Sequence, residues 1–549
     1  MSRQSRTDTT DGFPFLLRLR RAYETVRGTS IPVENYQPTE HPPLVEYEVP
    51  ENCTEKSRYW VNAPFSFVSI YDDKGADEWR YHVVVPQLSA FQTELLEQLR
   101  ADVRDRLVYT RTDERAGVEE TLQTELRTML EQYGTEVDIK LFYKLFYFLD
   151  REFSGYGPIQ PLLMDSRIED ISCDGYDMPV FVFHSEHNDI KTNLSFGQQA
   201  LDDMVIQLGQ MSDRQLSVGE PISNATLPNG SRAELVYAEE ISPHGSAFTI
   251  RQYSTDTMTP VDLIKYGTFS VEQMAYFWLA IENNKNLIFV GGTASGKTTS
   301  LNAVSMFIPP TSKIITIEDT REISLAHENW LSNVTRERVS EDTNIGMYAL
   351  LRSALRHRPE YIIVGEVRGE EALTLFQAMN TGHTTYSTMH ADSIQTVINR
   401  LENNPINVPR AMIQSLDILS IQRLTNLSGN RVRRSGSVVE VGSIDERSGN
   451  LNYSDLYSWN SKTDSFSGSY ADSEVLTDIA EARGWSNREL REEFNDRQRI
   501  LQYLVDNDVN EYGMFTNMVK SYARNPDAVL ETIRTGGEFT GAEQAAPTD

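Results

Sequence analysis

The chain has 549 residues, 39% of them hydrophobic, and carries 80 acidic against 51 basic side chains for a net charge of −29. Such an acidic surplus argues against nonspecific nucleic-acid binding, although it leaves room for a local basic channel. Two distant cysteines, Cys53 and Cys173, argue against a zinc module or disulfide framework, and no apolar run approaches the ~20 residues that span a bilayer. A length of this order predicts about three or four domains. Lysine supplies only 11 of the basic residues. Scarce lysine in so acidic a chain fits molar intracellular salt, where the Debye length shrinks to about 3 Å and self-repulsion is screened. The alternative is an ordinary acidic cytosolic protein.

In chain order, residues 1–12 are polar. Phe13–Arg27 (FPFLLRLRRAYETVR) is basic and apolar against the trend of the chain. It fits either an amphipathic element that docks on a membrane or partner, or a helix packed on its own domain. Residues 31–54 are proline-rich and read as an extended arm. Strand-like Phe65–Tyr71 and Tyr81–Val85 precede helical patterns over Ala90–Tyr109 and 117–153. The aromatic run LFYKLFYFLDREF closes the second and fits the core of a helical bundle. From Gly155 short apolar segments (Ile171–Cys173, Val180–His184) alternate with turns around a helix at Gln198–Met211, which predicts a compact α/β domain. A Thr/Ser-rich connector leads to a helix at Val271–Asn283. Strands then alternate with helices, as in a parallel sheet, to about residue 440. Strand signals over Val438–Trp459 come next, then helices at Ser473–Ala482, Ser486–Asn507, Tyr512–Tyr522 and Pro526–Ile533 and a polar tail. The division expected is an arm over 1–54, an α/β and helical region over 55–153, a second α/β domain over 154–258, a nucleotide-binding domain over 259–440 and an extension over 441–549.

Four blocks carry chemistry. Leu287–Val290 is a short apolar run that feeds Gly291-Gly292-Thr293-Ala294-Ser295-Gly296-Lys297-Thr298-Thr299, and a helical pattern follows to Phe307. This is G-x-x-x-x-G-K-T in its strand–loop–helix context. Glycines let backbone N–H groups turn inward around phosphate oxygens, and the helix N-terminus adds partial positive charge. Lys297 reaches the β- and γ-phosphates and Thr298 holds Mg²⁺. The second block is a strand, Lys313–Ile317, that delivers Glu318 and Asp319. An acid there can orient water or reach Mg²⁺, or simply cap a helix. In the third, Tyr361–Val364 ends in Gly365-Glu366, a second candidate for Mg²⁺ or water, with Arg368 available to pair with Glu366 or Glu370. The fourth, Thr381-Gly382-His383-Thr384-Thr385-Tyr386-Ser387-Thr388-Met389-His390-Ala391, suits a loop in which His383 senses the γ-phosphate. A metal pair and a core histidine compete with that assignment.

In this order GGTASGKTT, TIEDTREI, LRSALRHRPEYIIVGEVRGEEA and TGHTTYSTMHA resemble the Walker A motif, aspartate box, Walker B motif and histidine box of the secretion ATPase superfamily. These are the hexameric motors of type II secretion, type IV pilus systems and the archaeal flagellum-like filament. Upstream, GYGPI at Gly155 and IEDI at Ile168 resemble the start of that family's second N-terminal domain. The resemblance implies a RecA-like ATPase domain preceded by a smaller α/β, PAS-like domain, an α/β plus helical N-terminal region and a mostly helical C-terminal extension. It implies ATP and Mg²⁺ as cofactors and Glu318 as the residue that activates water, with Glu366 second. Asp319 or Glu366 would reach Mg²⁺ through water, and Arg232 and Arg251 would act as arginine fingers. It further implies a homo-hexamer on the cytoplasmic face of the membrane, working with a polytopic platform protein and, indirectly, pilin-like subunits. The absent four-cysteine module, the acidic composition and the TGH…HA form point to an archaeal, haloarchaeal branch. A DNA-moving ring ATPase and a low-turnover nucleotide-dependent scaffold remain as alternatives.

Overall fold

The computed structural model describes residues 35–107, 115–133, 137–252, 257–336, 345–427, 429–445, 447 and 449–535. The basic segment Phe13–Arg27 and most of the polar C-terminal tail lie outside them. The chain divides into two compact units, 1–253 and 254–549.

The first unit is built on nine strands: β1 Cys53–Asn62, β2 Ser66–Asp73, β3 Glu78–Val84, β4 Ile168–Cys173, β5 Pro179–His184, β6 Asn188–Ser195, β7 Ile222–Thr226, β8 Arg232–Val236 and β9 Ala247–Arg251. They form one sheet in the order β1-β2-β3-β6-β5-β4-β9-β8-β7. All neighbours are antiparallel except β3 and β6, whose parallel pairs Arg80–Lys191 and Tyr81–Thr192 join strands from either side of residue 154. Residues 53 and 54, expected in the extended arm, open β1 instead. Its side chains alternate between half-buried and exposed, the period of an edge strand with one covered face. Leu201, Met204, Val205 and Leu208 on the helix Gln198–Met211 bury against the sheet. A separate cluster joins the helices Ala90–Leu107, Arg115–Gln132 and Ile139–Phe153. The aromatics of the last helix are among its core: Phe142 is fully buried, with Tyr143 and Phe146 almost so.

The second unit holds β10 Leu287–Gly291, β11 Ile314–Glu318, β12 Trp330–Val334, β13 Tyr361–Val364, β14 Thr384–His390, β15 Ile418–Leu427, β16 Asn430–Ile444, β17 Leu451–Asn460 and β18 Ser465–Gly468. Their order is β12-β11-β13-β14-β10-β15-β16-β17-β18. The first six are mutually parallel, and β16 to β18 continue the sheet as an antiparallel meander. β10, β11 and β13 are buried at every residue, as unbroken apolar runs in a sheet covered on both faces require. Strand β16 runs through residue 440, so the meander belongs to the same sheet as the phosphate loop. The C-terminal helices close one face. Trp278, on a helix buried from Gln273 to Ile281, stacks on Phe307 at 5.0 Å and meets Tyr522 edge-on. Beside it the buried Arg497 of helix Asn487–Asp506 pairs with Glu282. A helix that is apolar all round needs such a cover, and the extension supplies it.

Candidate active site

Parallel strands deliver all their carboxyl ends to one edge of a sheet, which is where α/β folds bind ligands. Register fixes what meets there. Gly291 at the end of β10 lies opposite His390 on β14 and Gln422 on β15. Ile317, just before Glu318, lies opposite Val364, which Gly365 and Glu366 follow. The edge therefore gathers the phosphate loop, Glu318-Asp319, Gly365-Glu366 and His390.

The loop has the backbone its sequence demands. A Cβ on Gly291 would fall 2.4 Å from Ser295 Oγ and 2.5 Å from the Gln422 carbonyl, so only glycine fits. Ala294 and Gly296 are left-handed, with φ of 57° and 89°. Such turns create the concave arrays of N–H groups that hold anions. Gly292, Thr293 and Ala294 are exposed, while Ser295 is buried and donates to the Gly292 carbonyl at 2.8 Å. Lys297 donates to the same carbonyl at 2.8 Å, which draws its ammonium back over the loop. Thr298 and Thr299 follow in the first turn of the helix Lys297–Ser305. This cradle fits a triphosphate. Among the described residues no group of three or more His, Cys, Asp or Glu side chains could cage a metal.

The acids differ in their surroundings. Glu318 is 1% exposed. Its Oε1 accepts the backbone N–H groups of Glu322 and Ile323, each at 2.9 Å, while Oε2 is buried without a protein partner. Burial pushes its carboxyl up to about 7, against the two amides that favour the ionised form. Gly365 makes room for it, since a Cβ there would stand 3.3 Å from Glu318 Cγ. Asp319 and Glu366 are more open. Arg368 pairs with Glu366 and lies 3.9 Å from Asp319. Asp319 also accepts from the Thr335 hydroxyl at 3.2 Å.

His383 is elsewhere. The segment expected to be a sensing loop is largely strand β14, and its polar side chains Thr385, Ser387 and Thr388 are buried. His383 precedes that strand, at the amino-terminal edge, where its N–H bonds to the Ala378 carbonyl and its Nδ1 lies 3.3 Å from Thr381 Oγ1. Seven strand residues at ~3.3 Å each set it about 20 Å from the loop. Within its own chain His383 therefore stands away from the phosphate loop, and His390 is the histidine of this motif that lies beside Gly291. The motif contained both histidines. Only recognition that Thr384–Met389 reads as a buried strand would have chosen between them.

Arg232 and Arg251 sit in the first unit as direct cross-strand partners on β8 and β9. Both are exposed. Arg251 also faces Asp170 on β4, with its Nε 3.9 Å from the carboxylate. Two arginines side by side with one flanking acid form a cationic point on that sheet.

Residues 183–542 match the family described as Type II/IV secretion system protein, and residues 15–87 match the family described as PilB3-like, N-terminal. An uncharacterized protein of Methanocaldococcus jannaschii is 36% identical over 383 residues, 69% of each chain. A second from the same organism is 44% identical over 252 residues, 46% of this chain and 93% of that one. The conjugal transfer protein TrbB of Rhizobium radiobacter is 35% identical over 224 residues, 39% of this chain and 66% of its own. With a family match across about two thirds of its length, and with the phosphate loop and its acids at the carboxyl edge of a RecA-like sheet, the chain belongs to the type II/IV secretion ATPase superfamily.

Proposed function

We propose that the protein hydrolyses ATP as a hexameric motor that drives assembly of a pilus-like filament, or a related secretion step, at the inner face of the cell membrane. The observation that carries the chemical part is the meeting of the phosphate loop with a buried carboxylate whose second oxygen has no protein partner. Backbone N–H groups of Gly291–Thr298, with Lys297, bind the phosphates. Thr298, with Asp319 or Glu366 through water, would hold Mg²⁺, which supplies charge neutralisation when bound. Glu318 accepts the proton of the attacking water at Oε2, where a carboxyl near 7 is matched to working pH. His390 donates to the terminal phosphate. Arg232 and Arg251 compensate the charge that develops during transfer, a contribution typically worth ~10³–10⁵-fold in rate.

Among the described residues no helix is long and apolar enough to cross a membrane. On this proposal the motor works with a polytopic platform protein and, through it, pilin-like subunits. The test is steady-state ATPase activity and nucleotide affinity of the full chain. Lys297→Ala should lose nucleotide binding, and normal ATP affinity in that variant would overturn the phosphate-loop assignment. The likeness to a conjugal transfer protein favours a second reading, a ring ATPase that moves DNA. Stimulation of turnover by DNA rather than by a membrane partner would select it.

A further inference from the structure

The β15–β16 hairpin carries four arginines that the nucleotide chemistry leaves unused: Arg423, Arg431, Arg433 and Arg434. Arg434 is committed to the fold. It is 7% exposed, pairs with Asp464 at 2.8 and 2.9 Å and donates to the Tyr266 carbonyl at 2.9 Å. Arg433, the next residue along, faces the other side of the strand, as alternation requires. Its Nε donates to the backbone carbonyl of Ala294 at 2.9 Å, within the phosphate loop. Its Cδ lies 3.3 Å from the point a Cβ on Gly296 would occupy. The stem thus crosses Gly296 and the head holds Ala294, the two left-handed residues of the loop.

In a loop that turns N–H groups toward an anion, the carbonyls of the same peptides face outward. An outward carbonyl held by a cation keeps its peptide plane, and so the next N–H, in the anion-binding orientation. Left-handed alanine is otherwise costly, because its Cβ crowds the following carbonyl oxygen. We propose that Arg433 is a positioning residue for the phosphate loop. From the hairpin it braces the Ala294 peptide, so that the cradle is set for a nucleoside di- or triphosphate before one arrives. The proposal rests on the reading of this loop as a nucleotide site. It also links the loop to β16, the strand that leads into the C-terminal part of the chain.

The experiment compares full-length wild type with Arg433→Met, which keeps the stem and loses the head, with Arg433→Lys, which restores a donor cation, and with Arg431→Ala on the same strand. ADP and ATP affinities are measured at equilibrium, KM and kcat in steady state. Loss of a charged hydrogen bond predicts that Arg433→Met weakens ADP and ATP alike by about tenfold. KM should rise in step while kcat stays within about twofold, Arg433→Lys should recover most of the loss, and Arg431→Ala should match wild type. Wild-type ADP affinity in Arg433→Met overturns the brace. So does a loss confined to kcat, which would make Arg433 a transition-state contact. If wild type itself binds no ADP, the nucleotide reading fails instead, a result distinct from either.

Discussion

Glu318 and Glu440 are buried to the same degree, 1% and 2% exposed, and both belong to strands of one sheet. Glu440 is saturated. Its Oε1 takes the Tyr276 hydroxyl at 2.7 Å and the Ser473 hydroxyl, and its Oε2 takes the backbone N–H groups of Glu474 at 2.8 Å and Val475 at 3.3 Å. It thereby pins the start of helix Glu474–Arg483 to β16. Glu318 has amides on one oxygen and no partner on the other. Equal burial thus serves opposite ends. A carboxylate with every lone pair matched is a structural joint, and one left half matched is a strained group waiting for a ligand proton or ion.

The largest expected effect breaks that contrast on the reactive side. Glu318→Gln should keep ATP affinity and lose turnover by ~10²–10⁴-fold, the usual worth of a general base. Turnover within a few-fold of wild type would move the base to Glu366. On the structural side, Glu440→Ala orphans two hydroxyls and two amides. It should destabilise the folded chain by at least ~3 kcal/mol in chemical denaturation, since each orphaned buried donor costs ~1–3 kcal/mol. The catalytic rate per folded molecule should not change.

The contrast sharpens with pH. The Glu318 carboxyl is raised from 4.5 to about 7 on folding. Between those values the native state holds a proton that the unfolded chain has released, so stability falls as pH rises through that window. The full displacement corresponds to up to ~3 kcal/mol. Glu318→Gln should therefore gain melting temperature on wild type as pH rises from 5 to 7, and the gain should level off above that. A constant difference would show that burial of this carboxylate costs nothing. The smallest effect separates the histidines. His390→Ala should lower kcat/KM by about tenfold, the worth of one hydrogen bond to a charged group, and His383→Ala should stay within twofold. The reverse order would return the sensing role to His383.

The phosphate loop was legible in the chain because everything that defines it is contiguous: an apolar strand, the glycines, the lysine and the helix that follows. The same holds for the acids at the ends of β11 and β13 and for the alternation that gives a parallel sheet, since strand period and flanking turns are local signals. Register is not local. Whether His383 or His390 faces Gly291 depends on which end of β14 lies at the carboxyl edge, and the polar character of Thr384–Thr388 hid the strand that decides it. β1 gives no apolar signal of its own, since its pattern is half-buried, and it becomes a strand by pairing with β2. Arg433 lies 139 residues from Ala294 in the chain, and no spacing rule spans that gap. The sequence by itself determined the phosphate-loop motif, because one continuous stretch of backbone carries it. Tertiary structure alone decided which distant side chains stand beside the loop, because strand order and register bring them there.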